Sequence, residues 1–254
     1  MRKAAAAWEE EYAAKLKGIG FIRGRGAPTV FVNIETGVRI VVHGDDFTCS
    51  GDRRELEELR RKMQQWYDIK DRGIMGSGLD EFKEVTILGR TVRWMDDGIE
   101  YEADGKHREE LMKLEGLRED SNAAVGPYVK EKPNEEDEEG EELDEIGAKQ
   151  FRAAAARLNY LGQDRTDIQY ATKEICRGMS RPTMSGVKKI KRVVRYLVGA
   201  PKLVWKFGGA RSKVNQDVID VFVDSDWAGA KDRKSTSGGV MTVGGGVVKH
   251  WSRT

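Results

Sequence analysis

Two adjacent carboxylates, Asp45 and Asp46, stand in the stretch RIVVHGDDFTCSG, between a β-branched run and small polar residues. The pattern predicts a β-hairpin whose tip is Gly44-Asp45-Asp46. Carboxylates that a stiff sheet holds at such a tip can bind a hard cation such as Mg²⁺, and the bare backbone of Gly44 lets a phosphate chain approach. Two metal ions about 4 Å apart can promote nucleotidyl transfer. Gly and Asp favour turns in any protein, so the tripeptide alone indicates no more than a turn.

The segments on either side of this hairpin predict the elements that must position it. In AAAAWEEEYAAKL, Trp8, Tyr12 and Leu16 recur every four residues, which predicts a helix with one apolar face. Two β-branched runs, residues 29–34 and 38–43, predict paired strands. Next, DRRELEELRRKMQQW combines capping-box spacing with apolar residues at helical intervals, so a second helix should cover the sheet.

The rest of the chain alternates strand and helix signals. Two strands surround Asp96-Asp97-Gly98, because Asp-Gly is a strong hairpin turn signal. Beyond the helices, VIDVFVDSDWAG and STSGGVMTVGGGVVKHW predict three antiparallel strands, with glycines 244–246 in the second turn. Helical spacing occurs in four ranges: 106–117, 148–161, 167–179 and 185–197.

The net charge of +1 conceals an uneven distribution. The segment KEKPNEEDEEGEELDE, residues 130–145, holds ten acidic residues against two lysines, so its charge is −8 and the remainder carries +9. A run so acidic and so poor in apolar residues repels its own folding and predicts a disordered linker. The chain should therefore divide into four parts: residues 1–129, an acidic linker 130–146, a helical region 147–210 and a C-terminal strand region 211–254.

The basic excess is concentrated in the stretch GVKKIKRVVRYL. Ile190, Val194 and Leu197 share one side of the predicted helix. A solvated helix face gives the same pattern, and both interpretations stay open. The remaining positions carry five cations that could contact nucleic-acid phosphates: Lys188, Lys189, Lys191, Arg192 and Arg195.

Length and composition exclude several classes of protein. With 254 residues, 39% of them hydrophobic, the chain can form one large domain or two small ones. No apolar run approaches the roughly 18 residues of a membrane span, which predicts a soluble intracellular protein of cytoplasm or nucleus, without a membrane partner. Cys49 and Cys176 lie far apart with no Cys-x-x-Cys motif, so we interpret them as ordinary thiols rather than zinc ligands or a disulfide.

Several of these stretches, in this order, resemble the Pol polyprotein of copia-type retrotransposons. RIVVHGDDFTCSG resembles the reverse-transcriptase palm hairpin with its Tyr-x-Asp-Asp box, and the opening helix resembles the helix before it. TILGRTVRW, around Leu88 and Gly89, is similar to the Phe-Leu-Gly segment of the primer-grip hairpin. LNYLGQDRTDIQYATKEICRGMSRPT and IKRVVRYLVGA resemble the connecting region, and VFVDSDWAGAKDRKSTSGGV resembles the opening strand and turn of the attached RNase H domain. The resemblance covers nearly the whole chain except the acidic linker.

The resemblance implies a function for the matching residues. The intact parent would extend a primer on an RNA or DNA template with deoxynucleotides and would hydrolyse the RNA strand. Leu88 and Gly89 would steady the primer end. Four carboxylates would bind Mg²⁺: Asp45 and Asp46 at the polymerase hairpin, and Asp224, with Asp226 as its substitute, in the RNase H part.

The departures from the family pattern affect the expected activity. His43 replaces the usual tyrosine, and Thr166 stands where the family usually has proline. Polymerase chemistry in this family needs a third aspartate from an earlier strand, and we expect that strand before Met1 and the later RNase H acids after Thr254. The chain alone should be a poor catalyst or none, because Mg²⁺ held by one or two carboxylates stays mostly hydrated and misplaced.

We therefore predict an α+β fold: part of a reverse-transcriptase palm and thumb, a helical connection, and three antiparallel strands that begin an RNase H-like domain. Whether this fragment is an enzyme stays open. Two alternatives remain, a non-catalytic domesticated nucleic-acid-binding protein and an inert retroelement relic. A metal-dependent phosphohydrolase built on His43 is disfavoured, because His107 and His250 show no ligand spacing.

Overall fold

The computed structural model describes residues 2–129, 141–209, 217–228 and 233–254. Within these ranges the protein combines α-helices with antiparallel sheets, so the predicted α+β class is confirmed. The chain divides into two compact units, Met1–Arg72 and Gly73–Thr254. In the part of the chain that the structure describes, every helix is too short or too polar to cross a membrane.

The first unit is a four-stranded sheet with two helices. The predicted opening helix, the β-branched strands and the helix after the hairpin are all confirmed. The sheet has the order β1-β2-β3-β4, and neighbouring strands are antiparallel. In chain order the elements are α1 (Arg2–Gly18), β1 (Ile22–Arg23), β2 (Val30–Val32), β3 (Arg39–His43), β4 (Asp46–Ser50) and α2 (Arg53–Trp66).

One face of this sheet forms the core of the first unit. Along β3, Ile40 and Val42 are buried while Val41 between them is exposed, as expected when only one face of a sheet is covered. Helix α1 contributes Tyr12 and Leu16 to the same cluster. The predicted apolar face of α1 is therefore the face that packs against the sheet.

The second unit contains two further antiparallel sheets around a helical core. The sheets have the strand orders β5-β6-β7-β8 and β11-β10-β9. The four predicted helices and the three C-terminal strands are confirmed. The elements are β5 (Glu84–Ile87), β6 (Arg90–Met95), β7 (Gly98–Glu102), α3 (Gly105–Leu114), α4 (Glu145–Leu161), a 3-10 turn (Thr166–Ile168), α5 (Gln169–Arg177), α6 (Met184–Gly199), β8 (Val204–Gly208), β9 (Ile219–Ser225), β10 (Ser237–Val243) and β11 (Gly246–Arg253).

Strand β8 was not predicted, and it changes how the chain is grouped. It pairs antiparallel with β7, with Trp205 opposite Tyr101, and so joins the β5–β7 strands to the C-terminal part of the chain. The sequence predicts a first part of residues 1–129, whereas the structure groups residues 73–129 with the second unit. The short run of β-branched and aromatic residues from Val204 to Phe207 favours a strand, but it directly follows a helix and is too brief to be distinctive.

The predicted acidic linker lies largely outside the described residues, which omit 130–140. Its last residues are part of the second unit. Glu142 forms an isolated bridge with Thr183, and the Asp144 carboxylate accepts a hydrogen bond from the Gly147 N–H as the N-cap of α4. Disorder of the acidic run therefore stays a prediction for residues 130–140.

The N-cap of α2 gives a direct test of the local argument. The Asp52 carboxylate accepts a hydrogen bond from the Arg54 N–H at 3.0 Å, and such caps contribute about 1 kcal/mol. We expect Asp52→Ala to lower the free energy of unfolding of the first unit by about that amount in urea denaturation. Asp68→Ala, which removes a carboxylate after the end of the helix, is the control and should have no measurable effect. Equal effects of the two variants would contradict the capping role.

Candidate functional site

The Gly-Asp-Asp turn lies at the end of the β3–β4 hairpin. His43 pairs with Asp46, so the loop consists of two residues, Gly44 and Asp45. Gly44 has φ of 64°, the positive value that the first loop position of a type II′ hairpin requires. The predicted hairpin is confirmed with one difference: Asp46 is the first residue of β4 rather than part of the loop.

Helix α1 holds this turn in place. The indole N–H of Trp8 donates a hydrogen bond to the Gly44 carbonyl at 2.9 Å. The Trp8 ring also meets the Phe47 ring edge-on at 6.2 Å between centroids, and Tyr12 meets Phe47 at 5.7 Å. Because these contacts reach both the loop and the strand after it, the position of the tip is determined by a helix about 36 residues earlier in the chain.

The two carboxylates at the tip are open to solvent. Asp45, Asp46 and the neighbouring His43 are all exposed. Among the residues that the structure describes, no cluster of three or more His, Cys, Asp or Glu side chains could hold a metal ion. Mg²⁺ prefers six oxygen ligands in near-octahedral geometry. The hairpin therefore fits a metal ion only in part, as a donor of two carboxylates to a site that other groups must complete.

The Leu88-Gly89 turn connects β5 and β6. Ile87 pairs with Arg90, which leaves a two-residue loop in which Leu88 and Gly89 have φ of 51° and 81°. Two positive φ values are typical of a type I′ hairpin, and a leucine in this region is strained. The Arg90 guanidinium donates to the Leu88 carbonyl at 3.2 Å. The leucine side chain is 42% exposed, so the strained turn presents an apolar residue to solvent.

A buried polar network supports this turn from below. Arg90 Nε donates to Asp164 Oδ2 at 2.9 Å, and Arg90 Nη1 donates to the Tyr160 hydroxyl at 2.9 Å. The Tyr101 hydroxyl donates to Asp164 Oδ1 at 2.7 Å. Asp164 is buried, so these bonds compensate its desolvation. Burial raises the pKa of Tyr101, and the hydrogen bond to Asp164 raises it further.

Sequence reasoning missed this network. Asp164 stands in LNYLGQDRT, a stretch that we used only as part of the connecting-region resemblance. Arg90 and Asp164 are 74 residues apart, and no local spacing links them. The one available signal is that Gln163-Asp164-Arg165 places two charged residues directly after an apolar helix end, where an unpartnered charge would be costly.

The predicted RNase H carboxylates lie on and after strand β9. Asp224 is exposed on this strand, which is exposed along its whole length. The Asp226 carboxylate accepts a hydrogen bond from the Thr236 N–H, and the Asp226 N–H donates to the Thr236 carbonyl at 3.0 Å. Asp226 therefore closes a loop. Both Asp224 and Asp226 are exposed.

The basic residues of α6 line a groove. This groove, of about 720 Å³, lies between α6, α5 and the segment 124–129. Tyr128 packs edge-on against Tyr170 at 4.8 Å between centroids, and Val125 at the groove is fully exposed. Cations beside aromatic and apolar side chains are typical of single-strand nucleic-acid grooves, although Tyr128 here is partly buried against the helical core. All five cations of the predicted set are in its wall: Lys188, Lys189, Lys191, Arg192 and Arg195.

One member of this basic set has unused hydrogen-bonding capacity. Arg192 Nε is buried and has no hydrogen-bond partner among the described residues. Arg195 instead donates to the Asn122 carbonyl at 2.8 Å, which ties the segment before the groove to α6. The Arg195 hydrogen bond thus fixes part of the groove wall.

Both cysteines are free, half-buried thiols, as the sequence analysis interpreted them. Burial raises the pKa of Cys49 to about 11 and raises the pKa of Cys176. At neutral pH both therefore stay protonated, and a thiolate nucleophile is disfavoured.

Comparison with known proteins gives matches over less than half of the chain. The chain is 35% identical over 106 residues to an uncharacterized mitochondrial protein of Arabidopsis thaliana, a match that covers 40% of this chain and 41% of that protein. It is 34% and 33% identical over 96 residues to the retrovirus-related Pol polyproteins from transposons RE1 and RE2 of the same plant, covering 37% of this chain and 6% of each polyprotein. No family model and no solved structure matches.

The predicted resemblance is confirmed. Over somewhat more than a third of its length this chain is similar to retrotransposon Pol polyproteins. The matches span 41% of the mitochondrial protein and 6% of the RE1 polyprotein, so the activity of the whole polyprotein is not transferred by identity alone. Any function proposed for this chain therefore has to be argued from the geometry of the hairpin, the strained turn and the groove.

The Tyr101 phenol predicts a pH dependence. Its pKa in the folded state lies above the ordinary value of 10.0, so the folded protein prefers the protonated phenol. Its stabilising contribution is complete below pH 10 and is lost as the pH rises further. We expect the free energy of unfolding of the wild type to fall relative to Tyr101→Phe when urea titrations are repeated from about pH 8 to 11.

Tyr170→Phe is the matched control for this measurement. It removes a phenol hydroxyl from a side chain that is 39% exposed and outside the buried network. We expect its unfolding free energy to follow the wild type at every pH. If the unfolding free energies of Tyr101→Phe and the wild type change with pH in the same way above pH 10, protonation of the Tyr101 phenol does not stabilise the folded protein.

Proposed function

We propose that this chain is part of a copia-type retrotransposon RNA-directed DNA polymerase, and that it supplies structural parts of the active site rather than a complete one. The observation that carries the proposal is the exposed Gly44-Asp45-Asp46 hairpin, held by Trp8, in a relative of Pol polyproteins. In this interpretation residues 1–129 include part of the palm and thumb, helices α4–α6 form the connection, and β9–β11 begin an RNase H-like domain.

The hairpin would contribute two carboxylates to a Mg²⁺ site for nucleotidyl transfer. Its exposure supports this function, since a primer end and a nucleotide must both reach the tip. A third carboxylate would have to come from outside the described residues. The bound ion would activate the primer hydroxyl and stabilise the leaving oxygen. The residues of this chain would orient it.

The Leu88-Gly89 turn and the basic groove would bind the nucleic acid. Leu88 is an exposed apolar residue on a turn fixed by the buried Arg90–Asp164 ion pair, so it could pack against a sugar or base without rearranging. The groove cations would contact phosphates, and Tyr128 could stack on a base. Together these features favour an RNA or DNA primer-template as the partner.

The catalytic part of the proposal is tested by primer extension. We expect the purified chain with Mg²⁺ and deoxynucleotides to extend an annealed primer on RNA no faster than Asp45→Asn does, because two carboxylates leave the ion mostly hydrated. Extension by the wild type that Asp45→Asn abolishes would contradict the claim that the chain lacks a complete site.

The binding part is tested by fluorescence anisotropy with single-stranded oligonucleotides. We expect Lys188→Gln with Lys191→Gln to weaken binding and to reduce the slope of log affinity against log salt by about 0.7 for each phosphate that is no longer neutralised. Lys70→Gln, which removes an exposed cation of the first unit, is the control and should leave both quantities unchanged. Binding that the Lys188→Gln/Lys191→Gln double variant leaves unaltered would exclude the groove as the nucleic-acid site.

A second candidate function, a non-catalytic nucleic-acid-binding protein, is favoured by the groove alone. It differs from the first in what the hairpin does. For a binding protein, Asp45→Asn should change neither affinity nor its Mg²⁺ dependence, whereas for a polymerase fragment the carboxylates should make binding of a primer-template with an incoming nucleotide depend on Mg²⁺.

A further inference from the structure

The loop between β1 and β2, residues 24–29, lies at the same end of the sheet as the Gly-Asp-Asp turn. Strands β2 and β3 are antiparallel neighbours, so the start of β2 lies beside the end of β3. The Val42 N–H donates to the Thr29 carbonyl at 2.9 Å, which places Thr29 level with the penultimate residue of β3. Strands advance about 3.4 Å per residue, so the loop and the turn leave the sheet side by side.

Backbone contacts fix the shape of this loop. The Gly24 N–H donates to the Val30 carbonyl at 2.8 Å, and the Val30 N–H donates to the Ala27 carbonyl at 3.0 Å. A Cβ on Gly24 would lie 2.7 Å from the Ala27 carbonyl oxygen, so the loop can close this tightly only with glycine at that position. The loop therefore presents its exposed side chains from a defined backbone.

The two arginines of the stretch IRGRG differ in what they contact. Arg23 Nε donates to the Pro28 carbonyl at 2.6 Å, and the Arg23 guanidinium forms an ion pair with Glu9 of α1. Arg25 is exposed and makes no hydrogen bond or ion pair with any residue that the structure describes. Arg23 thus holds the loop on the helix, whereas Arg25 is a cation that the folded first unit does not use.

Open space surrounds Arg25 and the turn. A Cβ on Gly26, next to Arg25, or on Gly44 would meet no heavy atom within 4 Å outside its chain neighbours. The Asp45 and Asp46 carboxylates are exposed at this end of the sheet, and no ion pair joins them to Arg25 within the described ranges. A ligand that contains both a cation and an anion would satisfy both charges, with Mg²⁺ on the carboxylates and phosphate on the guanidinium.

We propose that Arg25 binds a phosphate group of a ligand whose Mg²⁺ ion is held by Asp45 and Asp46. The phosphate belongs to a nucleoside triphosphate or to a nucleic-acid strand, since both carry oxygens that accept two parallel hydrogen bonds from a guanidinium. The turn itself carries two negative charges, so a phosphate beside it gains from a cation at the same end of the sheet. The inference rests on the proposed function for the ion, but it does not require a complete catalytic site.

The test is an NMR titration of the ¹⁵N-labelled full chain with dATP in the presence of Mg²⁺. We expect saturable shifts of the amides of residues 24–29 and 44–46. Arg25→Gln should weaken dATP binding about three- to tenfold, because a charged bidentate donor is lost. Arg25→Lys keeps the charge without the planar fork, so its affinity should lie between the two.

Further ligands identify the chemical group and its source. Inorganic triphosphate with Mg²⁺ should shift the same amides, and adenosine should shift none of them. A single-stranded oligonucleotide, titrated separately, distinguishes the two sources of phosphate. Arg25-dependent shifts of residues 24–29 that need a lower concentration of dATP than of the strand indicate the nucleotide, and the reverse order indicates the strand. Either order supports the phosphate contact.

The matched control is Arg39→Gln. Arg39 is an exposed cation on the same sheet, at the start of β3 and about 13 Å from its other end, so this variant should bind dATP like the wild type. Arg25→Gln should not lower the melting temperature, because Arg25 has no described contact to lose. The proposal is wrong if Arg25→Gln binds dATP and the strand like the wild type, or if Arg39→Gln weakens binding as much.

Asp45→Asn separates this inference from the proposed function. If Asp45→Asn retains the Mg²⁺-dependent dATP binding that Arg25→Gln loses, the proposed role of the turn fails and the phosphate contact of Arg25 stands. If Asp45→Asn loses that binding and Arg25→Gln retains it, the assignment of Arg25 is overturned and the role of the turn stands.

Discussion

The hydrogen bond from the Trp8 indole to the Gly44 carbonyl is the interaction on which the geometry of the first unit depends. A two-residue loop at the end of a hairpin has few contacts of its own, and its carboxylates would otherwise move with the tip. Helix α1 prevents this by packing Trp8 and Tyr12 against Phe47, the residue directly after the acidic pair. The same helix thus completes the core and fixes the exposed tip. The packing of α1 therefore both stabilises the first unit and sets the position of the two carboxylates.

The second unit uses a different means to hold a turn. The Leu88-Gly89 turn is strained, and a buried ion pair between Arg90 and Asp164 supports it from the base of the hairpin. Such strain persists only where the surroundings over-determine the conformation. Strand β9 shows the opposite situation, because it is exposed on both faces and carries Phe222 and Val223 at 65% and 70% exposure. The two turns are held firmly, whereas the edge that bears Asp224 is not covered by described residues.

Sequence reasoning was most successful where the signal was local. Trp8, Tyr12 and Leu16 predicted the packed face of α1, and the flanking β-branched residues predicted the hairpin. It failed where residues distant in sequence meet. The pairing of β8 with β7 and the Arg90–Asp164 ion pair join positions more than 70 residues apart, and no local pattern links them. The five α6 cations were predicted individually, but only the structure places them around one groove.

The most direct test of the central claim is hydrogen exchange, by NMR, of the Asp46 amide, whose residue pairs with His43 across the two-residue loop and so closes the turn. Trp8→Phe keeps an aromatic ring and removes the indole N–H, so we predict exchange about fivefold faster at Asp46, with the amides of the second unit unchanged. Trp66→Phe alters the same cluster at an indole that has no described hydrogen-bond partner and should leave the hairpin protected. Asp46 protection that Trp8→Phe reduces no more than Trp66→Phe does would contradict the claim that Trp8 holds the tip.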